Sequence, residues 1–272
     1  MFRLLKDGWA SAWRQPFALF LLFLYRFAWA FVLFKLVKAH VVPILARYPG
    51  AHGPEGGSQL FLMEAQFRLA KSDLAGEVLW GLLLLLGLRM LITPFLNAGV
   101  FYSLVHTHLN TGYRFMKGVR MLSLSFFVYY LLQMTLTLVP LFWLFPAIHS
   151  VNDLYRVAAQ PNTLLLYAAA YAAYGYLLHL LFLHLQFGRA SEQPFLSTLI
   201  RAVTSSLSIL GLAALLLLLT GLLSAGVVTA ALWDAGLWTF LLYQAFSFVR
   251  TFLSLWGITA QHELFMRKSE HV

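Results

Sequence analysis

Cysteine is absent from this chain, which excludes disulfides, thiolate metal sites and cysteine nucleophiles. Acid is scarce: 10 Asp and Glu residues stand against 19 Lys and Arg in 272 residues. Charged residues make up 11% of the sequence, whereas a soluble domain carries about 25%. A fold with so little charge cannot keep most of its surface in water, so lipid has to be its main solvent.

Other absences narrow the chemistry. No Gly-rich phosphate loop followed by Lys-Ser or Lys-Thr is present, so ATP hydrolysis by that route is excluded. No carboxylate stands deep in an apolar run, which counts against a proton-coupled transporter, and Glu77 and Asp234 are expected at the outer interface. His106 and His108 are two apart and His179 and His184 five apart, neither a good ligand spacing on a helix. His262–Glu263 has Met266 where a zinc-protease helix has its second histidine. The GLLSAG run around Ser224 lacks the spacing of a nucleophile elbow, and its small residues suit close helix packing instead. No catalytic residue, metal or cofactor is therefore assigned.

What remains is apolar. Hydrophobic residues are 61% of the chain and the mean hydropathy is +0.76. The net charge is +9. Its basic residues lie mostly between apolar runs, where positive-inside orientation and anionic headgroups account for them without nucleic acid. Six runs are long enough to span, at about 17–39, 74–105, 121–148, 163–187, 203–230 and 235–261. The first lacks a small-residue cleavage site and reads as a retained signal anchor.

Residues 93–121, TPFLNAGVFYSLVHTHLNTGYRFMKGVRM, set the orientation. This connection carries Arg114, Lys117 and Arg120 without an acid, and it is expected on the cytoplasmic side, its basic loop following span two after about 105. With an even number of spans, Lys and Arg outside them number ten on the side of the termini and four on the other. Both termini are thus expected in the cytoplasm, in a multi-pass protein of a cell membrane, that of a bacterium. Residues 1–15 form an amphipathic segment suited to the interface before span one. Residues 46–73 combine a Gly/Pro-rich loop with an amphipathic stretch, FLMEAQFRLAK, expected on the outer surface. Pro94 and the Asn97–Gly99 stretch are expected to kink or loosen the inner half of span two.

Three inner segments share a layout: FRLLKDGWASAWRQPF, YRFMKGVRMLSLSF and QPFLSTLIRAVTSSLS. Each mixes apolar and basic residues just before an odd-numbered span; one reading is three helical hairpins, each introduced by an interfacial helix, and the other is that any inner loop is basic and amphipathic. This layout, with TPFLNAG followed by GYRFMKGVR and QPFLSTLIRAV before span five, resembles bacterial six-span families that include the membrane domain attached to some glycerophosphodiester phosphodiesterases. The resemblance covers nearly the whole chain. It implies a membrane domain without its enzyme, because the chain has no room for the catalytic domain, and it carries over no catalytic residue.

The costly residues are Arg26, Arg89 and Arg250, each well inside its span. An arginine at the centre of a spanning helix costs roughly 2.5–3.5 kcal/mol on the insertion scale. One reading is a polar cavity for an anionic lipid or solute, since guanidinium makes bidentate contacts with oxyanions. The other is bonding to carbonyls at kinks or to neighbouring polar side chains. Gln244, Ser247, Thr251 and Ser254 recur with Arg250 at three- and four-residue spacing, a polar stripe that helix–helix hydrogen bonding or a substrate path would use.

The fold expected is an all-α polytopic bundle of six transmembrane helices forming a single membrane domain. The leading functional reading is a non-enzymatic binding, scaffolding or transport-associated component. Its partners are the bilayer with its anionic lipid, and a membrane protein partner or a second copy. A permease for a small solute is the first rival and needs a continuous polar path. An intramembrane enzyme of lipid or envelope metabolism is the second and needs a clustered acid, base or nucleophile.

Overall fold

Long apolar runs in this chain become long helices, because hydrocarbon leaves every backbone N–H and C=O to be satisfied within its own segment. A computed structural model describes residues 1–45, 74–144, 161–233 and 237–269. Eight helices are described: α1 Phe2–Trp13, α2 Pro16–Leu45, α3 Leu74–Val105, α4 Thr111–Leu144, α5 Pro161–Ala190, α6 Phe195–Thr204, α7 Ser206–Trp233 and α8 Leu237–Ser269. There is no strand among the described residues. Five segments are long and apolar enough to cross a membrane: Pro16–Leu36, Leu79–Val105, Thr111–Leu141, Leu165–Ala190 and Ser206–Ala230. The helix α8 is as long as these but is diluted by Gln, Arg, His and Glu, and it is not among the five.

Several expectations are corrected in detail. The basic connection after span two is shorter than expected: α3 ends at Val105 as expected, but α4 already starts at Thr111 rather than about 121, so His106–Asn110 connect them. Two glycines make this possible. A Cβ on Gly99 would stand 2.6 Å from the Phe115 ring, and one on Gly118 would meet Tyr102, so each helix receives an aromatic ring of the other. Pro94 and Asn97–Gly99 lie, as placed in span two, within the helix α3. Span five starts later than expected, because residues 195–204 form the separate helix α6 and the chain turns at Ser205. Of the three segments expected as inner interfacial helices, the first and third form the separate helices α1 and α6, while the middle one is the first part of α4. The outer stretches 46–73 and 149–160, and the turn at Asp234, lie outside the described residues.

The chain divides into two compact units, Leu21–Thr93 and Met1–Phe20 with Pro94–Val272. In the smaller unit, α2 and α3 run side by side. The Tyr25 hydroxyl lies 2.9 Å from Thr93 Oγ1, and a Cβ on Gly81 would stand 3.4 Å from Leu36.

The larger unit keeps its core at one end. Phe101, Phe115, Phe126, Phe187, Leu212 and Leu255 are its largest fully buried apolar side chains. They lie where α3 and α5 finish, where α4 and α7 begin, and in the last half of α8. Phe101 stacks on Phe187 at 4.8 Å and meets Phe126 edge-on at 5.4 Å. Away from that end the helices expose leucine, as at Leu217, Leu218 and Leu222, which suits acyl chains.

Helix α1 is docked on α8 at the same end. Gly8 lets the two backbones meet, since a Cβ there would stand 2.6 Å from Ala260 Cα. Thr259 Oγ1 donates to Gly8 O at 2.7 Å and Trp256 Nε1 to Leu5 O at 2.9 Å. Trp9 packs edge-on against Phe252 and Trp256, and Arg267 pairs with Asp7.

Prolines inside spans are compensated locally. Pro140 cannot bond to the carbonyl of Leu136, four residues earlier. Tyr174 of α5 donates its hydroxyl to that oxygen at 2.9 Å, and Tyr171 donates to Thr137 O at 3.0 Å.

Candidate functional site

Among the described residues, three sets of charge bear on a site: arginines well inside long helices, a buried knot, and a cluster at the packed end. In the smaller unit the Tyr25–Thr93 contact fixes the antiparallel register of α2 and α3. With Leu36 beside Gly81, Arg26 stands opposite residues 91–92 and Arg89 opposite residues 28–29. The two guanidinium-bearing positions are therefore within about one helical turn, roughly 5 Å, of each other in depth. Both lie near the middle of Leu79–Val105 or its partner segment, and both are exposed. Thr93 Oγ1 also lies 2.6 Å from Arg89 O, which seals the turn just before Pro94.

In the larger unit Gln261 Nε2 donates to Ile209 O at 3.2 Å, giving the register of α8 against α7. Arg250, eleven residues earlier, comes level with about Thr220, near the middle of Ser206–Ala230. Arg250 is exposed, as are Ser247 and Ser254, whereas Thr251 is fully buried and bonds back to Ser247 O at 3.0 Å. The polar stripe thus divides between an inward and an outward side; the side chain of Gln244 lies outside the described residues. Arg26 and Arg89 belong to one unit and Arg250 to the other.

The knot was not foreseen as such. Arg114, in the first turn of α4, is only 3% exposed. Its Nη2 donates to Arg14 O at 2.9 Å and Gln15 Oε1 at 3.0 Å, and its Nη1 to Thr107 O at 3.3 Å. Gln15 Nε2 donates to Ser103 O at 3.0 Å, and Ser103 Oγ returns a bond to Gln15 Oε1. Ser103 O is among the last carbonyls of α3, which have no partner within the helix. One Gln and one Arg therefore cap α3 and tie the α1–α2 junction to the start of α4.

The cleft is built by the α5–α6 turn. Gln193 N donates to Gly188 O at 2.8 Å, Glu192 takes a left-handed φ of 58°, and Pro194 leads α6 back along α5. Thr198 seats on Gly188, where any Cβ would collide with it. That docking aims Arg201 across the top of Phe265, with the guanidinium 5.7 Å from the ring centre, while its Nη1 donates to Gln193 Oε1 at 2.9 Å. Arg201, Lys268, His184, Ser205 and the apolar Ile209 and Leu264 line a small cleft of about 10 Å³, room for about one water. His184 is 3% exposed; its Nδ1 lies 3.0 Å from Leu180 O, while its Nε2 has no partner. The backbone acceptor holds the proton on Nδ1, so Nε2 offers a lone pair.

Beside the cleft, His262 packs on Phe187 at 5.2 Å, and burial pushes its pKa down to about 4. The Glu263 carboxyl is pushed up, by burial first and by Asp7 second, against the pull of Arg267 and Arg14. No group of three His, Asp or Glu side chains able to hold a metal occurs among the described residues. His184 was visible in the sequence as a poorly spaced histidine and Arg201 as the basic residue of QPFLSTLIRAVTSSLS; nothing in their spacing announced that they meet.

Helices of this length and apolarity define a multi-pass α-helical membrane protein. No family model, no curated protein and no solved structure matches the chain.

Proposed function

We propose that the protein is a non-enzymatic, six-span component of a cell membrane, with both termini in the cytoplasm. It engages an anionic lipid or solute through Arg26 and Arg89, with Arg250 at mid-depth on its own helix. The observation that carries this reading is the register of α2 and α3. It sets two exposed arginines at one depth of two apolar helices. Two like charges at one level in hydrocarbon repel each other, and a shared oxyanion relieves that repulsion with charge-assisted bonds.

Parity supports six spans rather than five. Helix α1 precedes span one and docks on residues 252–267 of α8. Five crossings carry the chain from the side of α1 to the far side by Ala230. Only a crossing by α8 returns its last half to α1. On this reading the resemblance to phosphodiesterase-attached membrane domains concerns the membrane part alone.

The test is native mass spectrometry of the full chain in gentle detergent, beside a variant with Arg26, Arg89 and Arg250 changed to Gln. A bound anionic lipid or solute retained by the wild type and lost by the variant is the expected result. Equal retention by both, or no bound anion in either, overturns the assignment.

A further inference from the structure

We infer that α1 and α6 lie together in one headgroup layer and form a surface for anionic lipid. An apolar stripe on each sinks into the acyl boundary, and Arg3 and Lys6 meet the phosphates beside it. This rests on the membrane-spanning helices and not on Arg26, Arg89 or Arg250. Both short helices belong to the larger unit. Neither can cross. Helix α1 has 12 residues and α6 has 10. They are about 18 Å and 15 Å long, against a hydrocarbon core of about 30 Å. Each adjoins the end of a spanning segment. Only Arg14 and Gln15 separate α1 from Pro16–Leu36, and only Ser205 separates α6 from Ser206–Ala230. Both touch the last half of α8, α1 through Gly8 on Ala260 and α6 through Arg201 over Phe265, so they stand at the same end of the unit.

Each helix shows an apolar side besides the one that docks it. Helix α1 buries Leu4, Leu5, Gly8 and Ala12. Next to that side, Phe2, Lys6, Trp9 and Trp13 recur at four- and three-residue spacing as a second stripe. Phe2 stays 86% exposed and Trp13 60%, although Trp13 also touches Phe252. Helix α6 docks through Thr198 and Ala202 and leaves Leu196 66% and Val203 60% exposed on another side, with Ile200 between them. Its remaining side carries Ser197 and Thr204, both exposed. A helix lying in the interface is built this way, with one side for acyl chains and one for water. Tryptophan is the residue type enriched at that level.

Charge selects the lipid. Arg3 and Lys6 are exposed, and Lys6 stands within the aromatic stripe, where its stem covers apolar surface while the ammonium reaches phosphate. The acids on the neighbouring elements are Asp7, paired with Arg267, Glu263, close to Arg267 and Arg14, and Glu192 in the α5–α6 turn. Against them stand Arg3, Lys6, Arg14, Arg201, Arg267 and Lys268, an excess of positive charge that attracts anionic headgroups.

The absence of cysteine lets one introduced thiol carry one label. Full-length protein in vesicles is labelled with bimane at Phe2→Cys or Leu196→Cys on the stripes, and at Ala10→Cys or Ser197→Cys on the exposed sides away from them. Quenchers are phosphatidylcholine brominated near the top of its acyl chains, and iodide in the buffer. The stripe labels are expected to be quenched by the brominated lipid and the other two by iodide. Stripe labels quenched by iodide overturn the surface, because water then covers it. Stripe labels shielded from both quenchers also overturn it, in favour of a second copy or a protein partner.

Lipid class is read from the Phe2→Cys label by competition between brominated phosphatidylglycerol and plain phosphatidylcholine. Preference for phosphatidylglycerol is expected, and it should fall by up to about fivefold for each of Lys6→Gln and Arg3→Gln. Both positions are exposed, so these variants keep the fold. Arg26→Gln with Arg89→Gln is expected to leave the preference unchanged. No preference, or one that survives Lys6→Gln and Arg3→Gln together, overturns the anionic surface. A preference lost only in the Arg26/Arg89 variant also overturns it, while leaving the assignment of those two arginines standing.

Discussion

Changing Gln15 to Leu keeps the size of the side chain and removes the centre of the knot. Three things are lost: the cap on Ser103 O, the acceptor for Ser103 Oγ, and one of the three acceptors around the Arg114 guanidinium. Gln15 is 2% exposed and Arg114 3%, so water does not replace these bonds without opening the packing of Phe101 and Phe115. Each buried group left without a partner costs about 1–3 kcal/mol, so Gln15→Leu is expected to destabilise by about 4 kcal/mol. Arg114→Met behaves differently. It removes the buried charge, and Gln15 Oε1 keeps its bond from Ser103, so its cost is expected to be about half as large. In the double variant the penalty for leaving Arg114 short of an acceptor disappears, and the two effects fall short of additivity by about 1–2 kcal/mol. Unfolding by SDS titration in mixed micelles, followed by tryptophan fluorescence, measures all four corners of the cycle. A Gln15→Leu cost under about 1 kcal/mol, or strict additivity, refutes the claim that these groups form one cooperative network.

Gly8→Leu is expected to detach α1, because even a Cβ collides with the Ala260 backbone; Trp9 and Trp256 emission should shift to the red with the rest of the fold retained. Tyr174→Phe strips the hydroxyl that satisfies the Leu136 carbonyl freed by Pro140, and about 0.6–1.7 kcal/mol of stability should go with it. His262, one residue past the expected end of span six, ionises at about 4 when folded and near 6.5 when unfolded. The unfolded chain therefore takes up the proton first as pH falls, and stability conferred by the neutral imidazole is lost between about pH 6.5 and 4, by up to about 3 kcal/mol. The raised Glu263 carboxyl works in the opposite sense, losing stability as pH rises past its unfolded value, so the His262 effect is read as wild type minus His262→Phe. A reporter fused after Val272 should be active on the same side of the membrane as one fused before Met1; opposite sides would mean that α8 does not cross.

Composition alone made this a membrane protein, because hydrocarbon tolerates few charges and demands closed backbone bonding. Run length and charge placement were enough to find five crossing helices, with α3 placed at Leu74–Val105 as expected. That Arg26, Arg89 and Arg250 stand well inside long helices was also legible, since position along a helix is simply residue count. Packing was not. Arg114, Lys117 and Arg120 look alike in sequence, and interfacial orientation needs only their charge. Which of them is buried depended on Gly99 and Gly118, whose missing Cβ atoms draw α3 and α4 together and bring Arg114 under Gln15. Residues 111–120 read as a loop because they are polar and short of apolar periodicity, yet once the guanidinium is satisfied by carbonyls nothing interrupts the helix. The cleft depended on tertiary structure altogether: His184, Arg201 and Lys268 lie on three different helices, and only the seat of Thr198 on Gly188 brings them together. Sequence set which solvent each segment needs; the close approaches between helices decided which charges meet.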